Sequence, residues 1–401
     1  MNTNNILTQT DLAAQLQRRR ALTGILEYAV TSLELTSTQR ESVEKTYHEC
    51  GAHLSKSLGL AQHLGDIFPQ GSMRLGTVIR PLRDITDFFD IDVVFRVIAP
   101  AARTQPAVFR NAVGTHLREK YNGAVKPLAK GWRLDFGVER DYYVDVIPAM
   151  DSARGGEVIA ITDDVNWKDS HPRGYAGWFE GHAKVMPVFG ELALANRRLN
   201  SFNSAKIEPL PEHTDFKLPL QRITQISKRH RDYYFNKKTK QPDLTTPSIV
   251  ITTLLTKAYA DSVSAHVYES GYDLLLVCAE EMQKYIRIEI GADNKAHYIL
   301  ENPSLPTENL LAKWSDHRYA QAFYAWHKDF VAFLLQLQAT DAPLRRMLSE
   351  ALGEKAITGA FAKQADSLNA ARQHHLLSVT PAVGLTVGVG AAMPIYPPHQ
   401  G

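Results

Sequence analysis

Asp90 and Asp92 stand one residue apart in FDIDVVF, and a third carboxylate, Asp145, sits in YYVDVIP. Side chains two apart on a strand face the same side, so Asp90 and Asp92 project together while Ile91 and Val93 face the core. Two like charges at that spacing repel, and each favours water or a cation. A divalent ion resolves the conflict, and Mg²⁺ takes a few carboxylates together with the phosphate oxygens of a substrate. The bland alternative is a pair of surface acids at a strand edge, and two neighbours weigh against it. Gly71-Ser72, in QGSMRL, offers a backbone that can come close to an anion, with hydroxyl and amide donors for phosphate. Asp145, on a strand expected in the same sheet, supplies a third acid. Three acids, two metal ions and a phosphate cradle are the parts of in-line nucleotidyl transfer. One ion lowers the pKa of the attacking hydroxyl, and the other steadies the leaving pyrophosphate. Asp135 in WRLDFGVE competes for third place, on the other strand of the same hairpin. Asp84 and Asp87 read as loop residues ahead of the first strand.

The elements that position these residues follow from pattern. Thr10 to Leu64 reads as helical, with apolar residues at mixed three- and four-residue spacing and no proline from Asp11 to Ile67. FDIDVVFRVIA, WRLDFGVE and YYVDVIPAM are short, β-branched and aromatic, and predict strands. RLDFGVERDYYVDVIP reads as a hairpin turning near Glu139–Asp141, and PAVFRNAVGTHLREKY as a helix. Residues 70–150 are therefore a small mixed sheet backed by helices. Residues 151–220 are irregular, with short helices expected near Gly174–Lys184 and Asn196–Ser201. LPLQRITQISKRHRDYYF, PSIVITTLLTKAYADSV and YDLLLVCAEEMQKYIRIEI read as helices, NPSLPTENLLAKW interrupts them, and long helices follow to about Arg372. The expected division is 1–210 for N-terminal helices and sheet core, 211–380 for a helical domain, and 381–401 for a mobile tail. The segment from Ser378 carries no Asp, Glu, Lys or Arg and is marked by prolines. Such a peptide suits recognition by a partner through strand addition or carboxylate capture.

Composition excludes several classes. The chain of 401 residues is 44% hydrophobic and 22% charged, an ordinary globular balance. A net charge of +2 gives no global field toward nucleic acid or an anionic membrane. Cys50 and Cys278 form neither a C-x-x-C pair nor a zinc spacing, so a reduced setting is expected. No apolar run is long enough to span a bilayer, and MNTNNILTQT lacks the basic and apolar regions of a signal peptide. The expectation is a cytoplasmic protein. His374-His375 lacks a third ligand and reads as a solvated helix end. KRHRDYYFNKKTK, basic and interleaved with aromatics, suits phosphates but equally a surface loop between two helices. Within it Lys228 could reach a cleft, whereas Arg229 and Arg231 read as a solvated helix face. Ser248, after Pro247, reads as an N-cap.

A Gly-Ser turn, a D-x-D strand and a later single Asp resemble the nucleotidyltransferase superfamily of DNA polymerase β. The ordered series QGSMRLGTVIRP, FDIDVVF, YYVDVIPA, SHPRGYAGWF, TPSIVITTLLTKAY and ENPSLPTENLLAKW is similar to the cGAS/DncV-like nucleotidyltransferases (CD-NTases) of bacterial CBASS antiphage systems, over about residues 40 to 330. That resemblance implies an α+β, bilobal, cGAS/oligoadenylate-synthetase-like fold: a nucleotidyltransferase core with a mixed sheet, a C-terminal helical domain, and the active site between them. It implies a synthase of a cyclic di- or trinucleotide second messenger from ATP and other nucleoside triphosphates, adenine being one base. Mg²⁺, as two ions, or Mn²⁺ in its place, would be carried by Asp90, Asp92 and Asp145. Gln70, Gly71 and Ser72 would hold the donor triphosphate, with Lys228 at the β- and γ-phosphates and Ser248 at a helix start aimed at them. Tyr233, Tyr234, Tyr259 and Tyr298 all remain open as readers of the base. A downstream effector would answer the product. For the tail, two partners are implied: an E1/E2-like protein that conjugates the synthase through Gly401, or a HORMA-type regulator. Nucleic acid is not expected as a substrate, since no Cys/His cluster supplies the zinc insertion of DNA-sensing relatives. Two alternatives share the acids. One is nucleotide addition to RNA or a small molecule such as an aminoglycoside. The other is a non-catalytic RNA- or protein-binding module, against which an intact acid triad counts.

Overall fold

Alternation decides the centre of the fold. Strand β2 (Phe89–Pro100) buries Phe89, Ile91, Val93 and Phe95 completely and leaves Asp90 and Asp92 half-buried on the other face. Burying each of those four side chains is worth about 1.5–3 kcal/mol. A one-residue slip would carry two carboxylates into the core, so the register is firmly set. The computed structural model describes residues 9–61, 63–82, 88–162, 165–190, 217–292, 294–339, 343–373, 377–380 and 384–387. Asp84, Asp87, His374, His375 and the helix expected at Asn196–Ser201 lie outside the described residues.

The sheet around β2 is mixed, as expected. Strands β1 (Gly65–Pro69), β3 (Val125–Leu128), β4 (Gly131–Asp135) and β5 (Tyr142–Asp151) join it in the order β1-β2-β5-β4-β3. Strand β6 (Ile159–Thr162) pairs with β5, and β7 (Trp167–Ser170) with β6. β2 and β5 run parallel, with Asp92 opposite Asp145, and β4 and β5 form the expected antiparallel hairpin, with Arg133 opposite Asp145. Helices α2 (Ser37–Ser57) and α4 (Pro106–Tyr121) cover one face through Val43, Cys50, Leu54, Val113 and Leu117. Thr36 caps α2: its hydroxyl accepts from Gln39 N (3.2 Å) and the Gln39 side chain accepts from Thr36 N (2.8 Å). The other face keeps only a small apolar cluster around Val94, Ala149, Ile159 and Ile161, and the acids lie beside it.

A second core is helical. It is built from α5 (Pro172–Ala183), α6 (Pro219–Tyr233), α7 (Ser248–Ser262), α8 (Gly271–Glu281), α9 (His317–Leu337), α10 (Leu344–Leu352) and α11 (Glu354–Gln373). α1 (Gln9–Thr31) belongs here too. Leu22, Ile25, Leu26, Ala29 and Val30 pack in the helical core, not against the sheet. The division expected from sequence, which put residues 1–210 together, therefore does not describe α1. An amphipathic stripe states that a helix is covered, not by what.

IRIEI, expected as the end of a helix, is a strand. Arg287–Ile290 pairs antiparallel with Ala296–Ile299, as its period-two alternation allows. NPSLPTENL forms a short hairpin, Glu301–Asn302 with Leu305–Asn309. Leu377–Thr380 pairs antiparallel with Gly384–Val387, so a strand falls within the segment expected as a mobile tail, and residues 381–383 and 388–401 lie outside the described ones. Among the described residues no helix is long and apolar enough to cross a membrane.

Candidate active site

Parallel pairing of β2 with β5 brings the three acids onto one face. Arg133 stands among them from β4. Its Nε donates to Asp145 Oδ1 (2.7 Å), and its Nη2 to Asp145 Oδ2 (2.8 Å) and Asp90 Oδ1 (3.2 Å). The guanidinium also lies over the ring of Tyr143, 4.5 Å from its centroid. Hydrogen bonding to Asp145 pushes the Arg133 pKa up and keeps it charged. Arg133 does not offset all of the negative charge on this face. Burial, then Asp145 and Asp90, pushes the Asp92 carboxyl up to about 7, against the opposing pull of Arg133 and Lys228. Asp135 is not the third acid of this group: it pairs with Lys126 and accepts from Gly137 N (2.9 Å).

The Gly-Ser turn lies directly against these acids. Gln70 N donates to the Asp92 carbonyl (2.9 Å), and helix α3 (Gly71–Leu75) starts at the next residue. Gly71 has φ +58°, and a Cβ there would stand 2.9 Å from Asp92 Oδ2. Only glycine takes this backbone conformation cheaply and leaves room for the carboxylate. The start of α3 leaves its first amides without intrahelical acceptors, beside Ser72. Phosphate donors and carboxylates thus share one spot.

Lys228 comes to the same place from α6. It is buried, its Nζ donates to the Thr77 carbonyl (2.9 Å), and burial followed by Arg231 pushes its pKa down to about 8. Asp92 is among the charges that pull it back up, which places the two within electrostatic reach. Arg229 and Arg231, expected on a solvated face, are buried instead. Arg229 Nε donates to Leu352 O (2.6 Å), while Arg231 pairs with Asp232 and donates to Thr246 O (3.0 Å). The reason is position: α6 is surrounded by other helices, and its polar side chains end on carbonyls and carboxylates. The basic run is thus a core helix as far as Asp232, with only its end at the surface.

Ser248 is the first residue of α7, but Pro247 is the N-cap residue and no side-chain cap is present. The Ser248 hydroxyl instead accepts from Arg231 Nη1 (2.9 Å), which ties it to the neighbourhood of Lys228. Of the four tyrosines, Tyr259 is excluded as a base reader. It is wholly buried, with its hydroxyl on Val185 O (2.6 Å). Tyr298 packs edge-on against Trp314 and His317 and tilted against Tyr324, and Tyr233 and Tyr234 line a cavity with Lys238 and Asp329. Arg133 is the residue that sequence reasoning missed. Its signal was present: in WRLD, Trp132 and Leu134 are core residues, so Arg133 had to share the acids' face.

Among the described residues no three acidic, histidine or cysteine side chains are closed tightly enough to cage an ion. The donor set still fits a hard divalent cation in kind. It offers carboxylate oxygens from three strand positions, and a cation would relieve the repulsion from Asp145 and Asp90 that adds to burial in raising the Asp92 carboxyl to about 7.

Residues 23–182 match the Second Messenger Oligonucleotide or Dinucleotide Synthetase domain. A c-di-GMP synthase of Roseivirga ehrenbergii is 28% identical over 346 residues, covering 83% of this chain and 84% of the relative. The fold is that of solved CD-NTases. CdnG of Bradyrhizobium diazoefficiens, in complex with GTP, superposes with a TM-score of 0.64 at 19% identity, covering 84% of this chain and 96% of that one. CdnC of E. coli MS115-1, in a complex with HORMA-deltaN, gives 0.58 at 12% identity over 83% and 96%. The GTP-bound form of Vibrio cholerae DncV gives 0.51 at 15% over 86% and 88%. The resemblance read from the sequence is supported: a segment of the chain matches the synthetase domain, and the fold is shared with cGAS/DncV-like CD-NTases.

Proposed function

We propose that this CD-NTase condenses nucleoside triphosphates into a cyclic dinucleotide, with GTP among its substrates. One observation carries the site: Gly71, at the start of α3, lies against Asp92, which is in register with Asp145. A triphosphate seated on the first amides of α3 and on Ser72 would place its α-phosphorus beside the three carboxylates. A ribose hydroxyl of the second nucleotide then attacks that phosphorus, the α–β phosphoanhydride bond breaks, and pyrophosphate leaves. A second such step closes the ring. Asp90, Asp92 and Asp145 would hold divalent cations, Mg²⁺ by preference, whose chemistry is to acidify the attacking hydroxyl and offset charge on the leaving group. Lys228 would exchange the Thr77 carbonyl for phosphate oxygens, and Arg133 orients Asp145 and Asp90. The choice of guanine rests on the relative named c-di-GMP synthase and on GTP in the CdnG structure, and it stands beside the adenine expected for at least one base.

By the same reading the product signals to an effector in CBASS antiphage defence, in the cytoplasm. The C-terminal segment would receive a HORMA-type or E1/E2-like partner, the former being the kind of partner seen with CdnC. The test is to incubate the purified protein with Mg²⁺ and the four labelled triphosphates, treat with phosphatase, and identify the resistant product by mass. A resistant product containing guanine is expected. Absence of any resistant product, or label transferred to RNA or a small-molecule acceptor, defeats the reading.

A further inference from the structure

Helix α6 does more than present Lys228. Gln221, Gln225, Lys228 and Arg229 lie along one flank at near-helical spacing, and each donates to a carbonyl of the last residue of α3 or of the segment that follows it. Gln221 Nε2 reaches Leu75 O (2.9 Å), Lys228 Nζ reaches Thr77 O (2.9 Å), Gln225 Nε2 reaches Val78 O (3.1 Å) and Arg229 Nη1 reaches Arg80 O (3.3 Å). Leu75, Thr77 and Val78 are buried, so their carbonyls need donors, and one helix supplies them. Gln221 is engaged at both ends. Its Oε1 accepts from Leu218 N (2.9 Å) at the start of α6, while its Nε2 holds the last residue of α3. Across from it Gly76 has φ +67°, and a Cβ there would stand 2.5 Å from Gln221 Nε2. The missing Cβ at Gly76 is what lets the Gln221 amide reach Leu75.

We propose that Gln221 is a positioning residue for the donor triphosphate. It fixes the far end of the five-residue helix whose first residue abuts Asp92, and so holds the phosphate-binding turn at one spacing from the acids. This rests on the donor-site reading above.

Gln221→Glu separates the two bonds. The carboxylate keeps the acceptor for Leu218 N and suits a helix start, but it loses the donor to Leu75. Gly76→Ala disturbs the same contact from the other side. The measurements are equilibrium titration with fluorescently labelled ATP and GTP, together with KM, kcat and Tm. Each variant is expected to weaken nucleotide binding and raise KM by about five-fold, the scale of one hydrogen bond, with kcat changed by less than about two-fold. The double variant is expected to bind no worse than the weaker single one, because both break one contact. Gln221→Lys, which keeps a donor, is expected to recover binding. Wild-type binding in Gln221→Glu overturns the proposal, as does failure of Gln221→Lys to improve on it or additivity in the double variant. If Gly76→Ala is unstable, the Glu and Lys variants decide. Ser72→Ala distinguishes the two layers. Lost binding there with wild-type binding in Gln221→Glu defeats the positioning role alone, and wild-type binding in Ser72→Ala defeats the donor site itself.

Discussion

The sheet lobe and the helical lobe both carry charge in confined places, and they treat it in opposite ways. On the sheet, three acids share one face with Arg133, and burial together with repulsion from Asp145 and Asp90 holds the Asp92 carboxyl up to about 7. On α6, Arg229 and Arg231 are buried yet end on carbonyls or on Asp232. Charge that the fold leaves in conflict points to chemistry, because only a ligand resolves it. Charge that the backbone satisfies points to architecture. Lys228 belongs to both: it is bonded to Thr77 O like its neighbours, but it is also coupled to Asp92.

The contrast breaks most sharply at the acids. Asp90→Asn combined with Asp92→Asn is expected to cost roughly 10³-fold or more in product formation, with Tm unchanged or raised, since a repelling pair is removed. Wild-type turnover in that variant ends the catalytic reading of this face. Lys228→Ala tests the shared residue. It should raise KM for triphosphate more than it lowers kcat, by a cost on the order of 1–3 kcal/mol, the range for a hydrogen bond to a charged group. An unchanged KM would leave Lys228 purely architectural.

Arg229→Met probes the other side of the comparison. Two carbonyls lose a donor, so Tm should fall by about 3–8 °C while the product remains the same. If Tm holds and activity is lost, Arg229 belongs with the site. The smallest effect is a slope with pH. The native state raises the Asp92 pKa from 3.8 to about 7 and so binds an extra proton between those values. Its contribution to stability is therefore greatest below pH 4 and is lost as pH rises through 7. In EDTA, Asp92→Asn should match the wild-type Tm near pH 4 and exceed it by about a few degrees at pH 8. Parallel Tm–pH curves from calorimetry would remove Asp92 from this role.

How far the sequence reaches differs between the lobes for a physical reason. A strand exposes its two faces by simple alternation, so FDIDVVF and YYVDVIP gave away both their core residues and their acids. Arg133 obeyed the same rule. Helix α6 obeyed none that could be read locally. Arg229 and Arg231 look solvated in one dimension, and the carbonyls that satisfy them, Leu352 O and Thr246 O, come from other parts of the chain. RIEI was hidden because the apolar helix before it runs on without a breaker. The cap expected of Ser248 gave way to a tertiary partner, Arg231.

The placement of α1 carries a consequence for how the chain assembles. Its stripe from Leu22 to Val30 joins a core whose other walls include α6, α8 and α11, so a helix made before the sheet lobe docks with helices made after it. During synthesis that apolar stripe has no native cover while the whole sheet lobe is being made, and it is available to chaperones or to aggregation. Closing so long a loop is slow compared with the local pairing of β4 with β5. The sheet lobe can condense first, therefore, whereas the helical lobe matures only after the C-terminal helices arrive. Deleting α1 or deleting α11 should then register as one and the same folding defect.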